Sequence, residues 1–215
     1  MQKGLTEIVF LLDESGSMIR LRDDTINGYN RFLEQQKELD GNVLITTFSF
    51  SDTTKMLQRR TNVSNANPIT RKQYSPSGGT AFLDALGEAI NRTRFAQQDD
   101  GEKAPEKTIF VIITDGEENS SQEYEYRFVE KIIKLSRQVR GWQFMFLGAN
   151  IDIHTEISRL GIMPEMAAEY LCDSKGTEIN FVAIRNAISH YIQKGTIPEN
   201  WKDRIEEYLG NSKKD

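Results

Sequence analysis

The sequence predicts an α/β chain: a doubly wound, mostly parallel central sheet of about six strands, with one antiparallel edge and helices on both faces, in a Rossmann-like layout. Three observations lead there. Ile8-Val9-Phe10-Leu11-Leu12 and Ile109-Phe110-Val111-Ile112-Ile113 are continuous apolar runs, the mark of strands buried on both faces. Stretches of helical periodicity separate such runs, as parallel connections require. The 215 residues, 38% hydrophobic and 27% charged, suit one ordinary soluble domain with at most a short appendage.

Glu7 to Leu12 opens the sheet. Ile26, Tyr29, Phe32 and Leu33 then recur at helical spacing, with Asp40-Gly41 as the stop. Val43 to Phe50 reads as a strand, Ser51-Asp52 as a turn, and Thr54 to Thr61, polar enough to face water, as the antiparallel edge. Asn62 to Gly79 is rich in Asn, Pro, Ser and Gly and reads as loop. Phe82, Leu83, Leu86, Ala89 and Ile90 mark the next helix, and a polar segment from Gln97 to Glu106 leads into the strand that ends at Thr114. Phe128, Val129, Ile132, Ile133, Ser136 and Val139 give another amphipathic helix, stopped near Gly141, with Phe128 assigned to the core. Trp142 to Leu147 is a strand, and Asp152 to Leu160 a short helix with Gly161 as its cap. Ala167 to Cys172 is the expected last strand, followed by a cover helix on Ile179, Ala183, Ile184, Ile188 and Tyr191. This divides the chain into a domain over 1–195 and a C-terminal helical extension over 196–215. In the extension Pro198 to Leu209 is helical and Lys213-Lys214-Asp215 frayed.

The chemistry gathers at strand ends. The first apolar run empties into Asp13-Glu14-Ser15-Gly16-Ser17, one carboxylate and two hydroxyls in a turn. Ser77-Gly78-Gly79-Thr80 places a hydroxyl after paired glycines at a helix start, and Asp115-Gly116 closes the second run. Loops after neighbouring parallel strands converge on one crevice, so Asp13 and Asp115 can face one ion from two sides. Oxygen-only donors of this kind suit a hard cation, Mg²⁺ above all, with Mn²⁺ or Ca²⁺ as alternatives. Taken singly, each part has a plainer reading: Asp-Glu-Ser-Gly-Ser as turn and cap chemistry, Thr80 as a helix N-cap, Asp115-Gly116 as a turn. The conjunction favours a metal site.

Asp13-x-Ser15-x-Ser17, Thr80 after its glycines and Asp115-Gly116 together resemble the metal-ion-dependent adhesion site of von Willebrand factor A-type domains. The resemblance runs from about Glu7 to near Gln193, takes in Phe146-Leu147-Gly148-Ala149-Asn150, and is nearest to small stand-alone bacterial or phage members. It implies a complete set of metal residues: Ser15 and Ser17 binding directly, Thr80 directly or through water, Asp13 and Asp115 largely through water. An Asp or Glu carboxylate of a partner protein would complete the coordination, giving a non-catalytic binding module.

The alternatives are weaker. A Mg²⁺-dependent phosphohydrolase using Asp13 as nucleophile lacks its proton donor, because Ser15 stands where such phosphatases carry a second Asp. No nucleophile elbow, phosphate loop or dinucleotide fingerprint occurs. With a net charge of −5 and no long basic cluster, nucleic acid is not an expected partner. The single cysteine, Cys172, permits no disulfide framework and reads as a small buried hydrophobe. Lys3 ahead of Ile8 to Leu12 is too short a pattern for a secretion signal, and no run is long enough to span a membrane. A cytoplasmic chain, with no membrane partner and an open oligomeric state, is the resulting expectation. An accessory subunit docking an acidic segment of an intracellular ATPase or kinase-like complex is a refinement of the same reading.

Overall fold

The computed structural model describes residues 1–38 and 42–212. The expected stop at Asp40-Gly41 and the tail Lys213-Lys214-Asp215 lie outside the described residues. Strands β1 (Gln2–Asp13), β2 (Asn42–Phe50), β3 (Thr54–Asn62), β4 (Pro105–Thr114), β5 (Gln143–Gly148) and β6 (Ala167–Glu169) form one sheet in the order β3-β2-β1-β4-β5-β6. Only the β2–β3 pairing is antiparallel. The two apolar runs are the centres of β1 and β4, and both are wholly buried side by side.

Six α-helices accompany the described sheet: α1 (Arg22–Lys37), α2 (Phe82–Asp100), α3 (Tyr126–Arg140), α4 (Ile153–Leu160), α5 (Ser174–Lys194) and α6 (Asp203–Ser212). From β1 the chain steps outward to β2 and β3, then crosses back to β4 and continues the other way. Right-handed crossovers in opposite directions put α1 on one face and α2 and α3 on the other. Packing agrees: α1 lies against α5, while α3 sits between α2 and α4. Among the described residues, no helix is long and apolar enough to cross a membrane.

Several boundaries differ from the sequence reading. Helix α2 continues through Gln97 to Asp100, because the Gln97 amide is buried and donates to Glu7 Oε2 and Thr108 Oγ1, each at 2.9 Å. Strand β6 stops at Glu169, short of Cys172. The Tyr170 N–H still reaches the Gly148 carbonyl at 3.0 Å, and Asp173 then caps α5 by accepting from the Gly176 N–H at 2.6 Å. Phe128 is not core: it is 48% exposed, and Val139 on the same helix is 71% exposed. Beyond Gly195 the chain stays on the domain, with Trp201 and Ile205 buried and the Trp201 indole donating to the Glu165 carbonyl at 2.8 Å.

One charge is sunk at the amino end of the sheet. Glu7, fully buried in β1, accepts from Thr46 Oγ1 at 3.1 Å, Arg60 Nε at 3.0 Å and Gln97 Nε2 at 2.9 Å. Arg60 reaches it from a left-handed backbone, φ 41°, in a strand whose pairing with β2 is bulged. The same guanidinium bonds Asp100 at 2.6 Å, so it ties β1, β3 and the end of α2 together. Removing one partner of a buried ion pair leaves the other uncompensated, at a cost of about 3 kcal/mol. Arg60→Ala should therefore lower the unfolding free energy by that amount, read as a lower urea midpoint at unchanged slope. Glu7→Gln keeps the Oε1 acceptor for Thr46 and Arg60 and requires only that the Gln97 amide flip to accept from the new Nε2, so it should cost clearly less.

Candidate metal centre

The strands deliver the site where the chain order reverses. Leu12 pairs with Ile113, and the next residues are Asp13 and Thr114 at the carboxyl ends of β1 and β4. The Thr114 hydroxyl donates to Asp13 Oδ2 at 2.7 Å, and the Ser15 N–H donates to Asp13 Oδ1 at 2.7 Å. Asp13 is thus fixed, fully buried, with both oxygens engaged. A short 3-10 turn over Gly16–Leu21 brings Ser17 back toward Ser15, their hydroxyl oxygens 3.0 Å apart, and Ser17 donates to Asp115 Oδ1. Asp115 Oδ2 faces the Cys172 thiol at 3.5 Å.

Thr80 arrives from a third segment. A Cβ added to Gly116 would stand 3.7 Å from the Thr80 hydroxyl and 3.9 Å from that of Ser17, so both crowd the Asp115-Gly116 turn. The loop is held there by backbone bonds, Gly16 N–H to the Gly78 carbonyl at 3.0 Å and Ser77 N–H to the Glu14 carbonyl at 2.9 Å. Gly78 sits at φ +77°, a conformation that favours glycine, and a Cβ on Gly78 or Gly79 would meet the Asp52 carboxylate or the Ser120 hydroxyl at 2.1 Å and displace it. All five expected residues are brought to one rim.

The plainer reading of Thr80 as a helix cap fails on a specific observation. Helix α2 is capped from outside, with the Leu83 N–H donating to Glu118 at 2.9 Å and the Asp84 N–H to Ser121 at 3.1 Å. The N-cap position is Ala81, and the Thr80 hydroxyl is left for the rim. Likewise the Ser15 side chain caps nothing. Glu14 turns away from the rim: its buried carboxylate accepts from the Ser75 N–H at 2.6 Å and from Lys55 at 3.1 Å.

The electrostatics are unbalanced. Among the described residues, neither Asp13 nor Asp115 bonds a lysine or arginine. Burial holds the Asp13 carboxyl above its ordinary value, against the hydrogen bonds from Ser15 and Thr114, and the Asp115 charge adds to the upward push. Asp13, Ser15, Thr80 and Asp115 are 0 to 3% exposed, whereas Ser17 is exposed. The cluster opens to solvent on the Ser17 side. No group of three or more His, Cys, Asp or Glu suited to a metal occurs among the described residues, so any metal chemistry rests on hydroxyls. That donor set fits a hard ion: metal–oxygen bonds of about 2.1 Å at right angles put neighbouring oxygens roughly 3 Å apart, the Ser15–Ser17 spacing.

Sequence reasoning gave three neighbours no role at the rim. Cys172, read as a buried hydrophobe, is half-buried at the rim, its thiol raised by burial and touched by Arg20 Nη2 at 3.3 Å. Asn119 accepts from the Thr80 N–H at 2.9 Å, and Asn150, at φ 55°, donates to the Asp115 carbonyl at 3.3 Å. Asn150 alone had a local signal, in Gly148-Ala149-Asn150 after β5.

The sequence matches no family model, and no curated protein matches it significantly. Solved structures do match in shape. The PilB minor pilin of Streptococcus sanguinis aligns at TM-score 0.65 and 15% identity, over 87% of this chain and 62% of that one. A von Willebrand factor type A protein from Catenulispora acidiphila aligns at 0.58 and 15%, over 85% and 42%. Proximal thread matrix protein 1 of the mussel byssus, with a zinc-occupied MIDAS motif, aligns at 0.59 and 13%, over 86% and 48%. The chain spans less than two thirds of each of these proteins. The fold is von Willebrand factor A-like.

A carboxyl raised on folding binds its proton more tightly in the folded chain. Metal-free stability should therefore fall as pH climbs from the unfolded value of 3.8 through the folded one, and stay lowered above it. Asp13→Asn removes that fall and keeps the bonds, since Thr114 Oγ1 already reaches the Gly116 carbonyl at 3.1 Å and can accept from the new amide. In EDTA the variant should gain thermal midpoint on wild type from about pH 4 to pH 7. A pH-independent difference would count against buried charge at Asp13.

Proposed function

We propose that the chain is a non-catalytic, divalent-cation-dependent protein-binding module. Mg²⁺ is the preferred ion and Mn²⁺ or Ca²⁺ the alternatives. Ser15, Ser17 and Thr80 hold the ion through hydroxyls, and Asp13 and Asp115 hold it largely through bound water. An Asp or Glu carboxylate from the partner completes the coordination on the exposed Ser17 side. The observation that carries the reading is two buried, neighbouring carboxylates with hydroxyls around them and no bonded cation. A cation held chiefly by neutral oxygens keeps much of its charge and attracts a further carboxylate.

The phosphohydrolase alternative finds little support. A nucleophilic carboxylate needs an oxygen free to meet phosphorus, and both Asp13 oxygens are engaged in a fully buried side chain. Zinc occupies the motif of the mussel protein, yet this cluster offers no imidazole, so zinc serves as a competitor in the test.

Mg²⁺ titrated by calorimetry should bind the wild-type chain, and Asp13→Ala and Asp115→Ala should each weaken binding at least tenfold, about 1.4 kcal/mol. Thr80→Ala should weaken it less if that hydroxyl binds through water. Affinities equal to wild type in both Asp variants would remove the reading. Partners captured with Mg²⁺ and released by EDTA would then name the ligand.

A further inference from the structure

Helix α3 carries apolar side chains in two directions. Val129, Ile133 and Ser136 face the sheet and are buried. Phe128, Ile132, Leu135 and Val139 repeat at spacings of four, three and four, about a quarter-turn around the helix from that buried face. Phe128 is 48%, Leu135 51% and Val139 71% exposed, so three of the seven exposed large hydrophobics among the described residues stand on this one stripe. Toward α4 the helix is already engaged, through Arg137 to the Gly161 carbonyl at 2.9 Å and Tyr126 to Glu156 at 3.0 Å. The stripe is the opposite flank, toward α2.

At the amino end of that flank the two helices close up. Tyr124 packs at a tilt beside Phe128, fits over the bare Gly87 of α2 and accepts from Asn91 at 3.1 Å. Ile132 is half-buried, whereas Phe128, Leu135 and Val139 leave this flank of α3 open to solvent along its length. Heptad-like spacing of apolar side chains is what one helix presents to another.

Charge selects the occupant. Helix α3 holds Arg127, Lys131, Lys134, Arg137 and Arg140 against Glu130 alone, in a chain whose net charge is −5. Arg127, Lys131 and Lys134 have no ion-pair partner among the described residues. Twofold pairing with a second copy would set these cations against themselves. A flat bilayer would meet the outward cations rather than the sideways-facing stripe. We infer that the exposed apolar flank of α3 docks an amphipathic helix with an apolar seam and acidic flanks, supplied by a partner protein at a site separate from the metal rim.

The probe is a synthetic three-heptad helix with leucine at the seam positions and glutamate on both flanks, tested against the same peptide with lysine flanks. By fluorescence anisotropy on the full chain, the acidic peptide should bind at least tenfold more tightly than the basic one, with the same affinity in Mg²⁺ and in EDTA. Leu135→Asp and Val139→Asp, both exposed and so not expected to shift the thermal midpoint, should each weaken it at least tenfold. Equal binding of the two peptides, or no loss in the variants, overturns the inference. So do two outcomes that Leu135→Asp abolishes: concentration-dependent dimerisation, which assigns the stripe to a second copy, or sedimentation with phosphatidylserine vesicles, which assigns it to lipid. Loss of Mg²⁺ binding with peptide binding intact would count against the metal reading alone.

Discussion

Two carboxylates that end neighbouring parallel strands have to be kept together without a bonded cation, and the architecture around them follows from that constraint. Hydroxyl and amide donors around Asp13 favour its carboxylate, and the carboxyl is still held above its ordinary value because burial outweighs them. Like charges at such short range persist when the remainder of the structure over-determines their positions. Here the whole length of the β1–β4 pairing does so.

The segments nearest the pair show how local chemistry is displaced to serve it. Helix α2 takes its N-terminal acceptors from Glu118 and Ser121, which releases the residue that would ordinarily cap it. Asp84 in turn accepts three backbone N–H groups, from Gln122, Glu123 and Tyr124, so that the loop after β4 is fastened to the same helix. Glu14 spends its charge on Lys55 and the Ser75 N–H, away from the rim. The consequence is a cluster whose acceptors are anionic and whose exposed member, Ser17, is neutral.

Legibility in the sequence tracked the range of the interaction. The buried strands were readable because burial on both faces leaves an unbroken apolar run, and the positions of Asp13 and Asp115 on one rim because they sit at the ends of those runs. The end of α2 was not readable, since Gln97 is held by Glu7, which lies ninety positions away. Phe128 and Val139 fit the apolar periodicity of α3, yet periodicity does not reveal which flank a neighbouring helix will leave uncovered. Cys172 carried no local sign of its position, because the rim residues that contact it, Arg20 and Asp115, come from distant loops. Thr80 is the instructive case: its local context argued for a cap, and only the combined motif pointed to the rim.

The margins of the sheet have their own consequence. At one side β6 is three residues long, and Lys202 occupies the carbonyls of Ala167 at 2.9 Å and Pro164 at 3.2 Å, while the segment carrying Trp201 lies over the strand. At the other side β3 is broken by irregular pairing and studded with Lys55 and Arg59. Neither border offers a bare ladder for an incoming chain, so crowding many such molecules together would not template fibrils by strand addition.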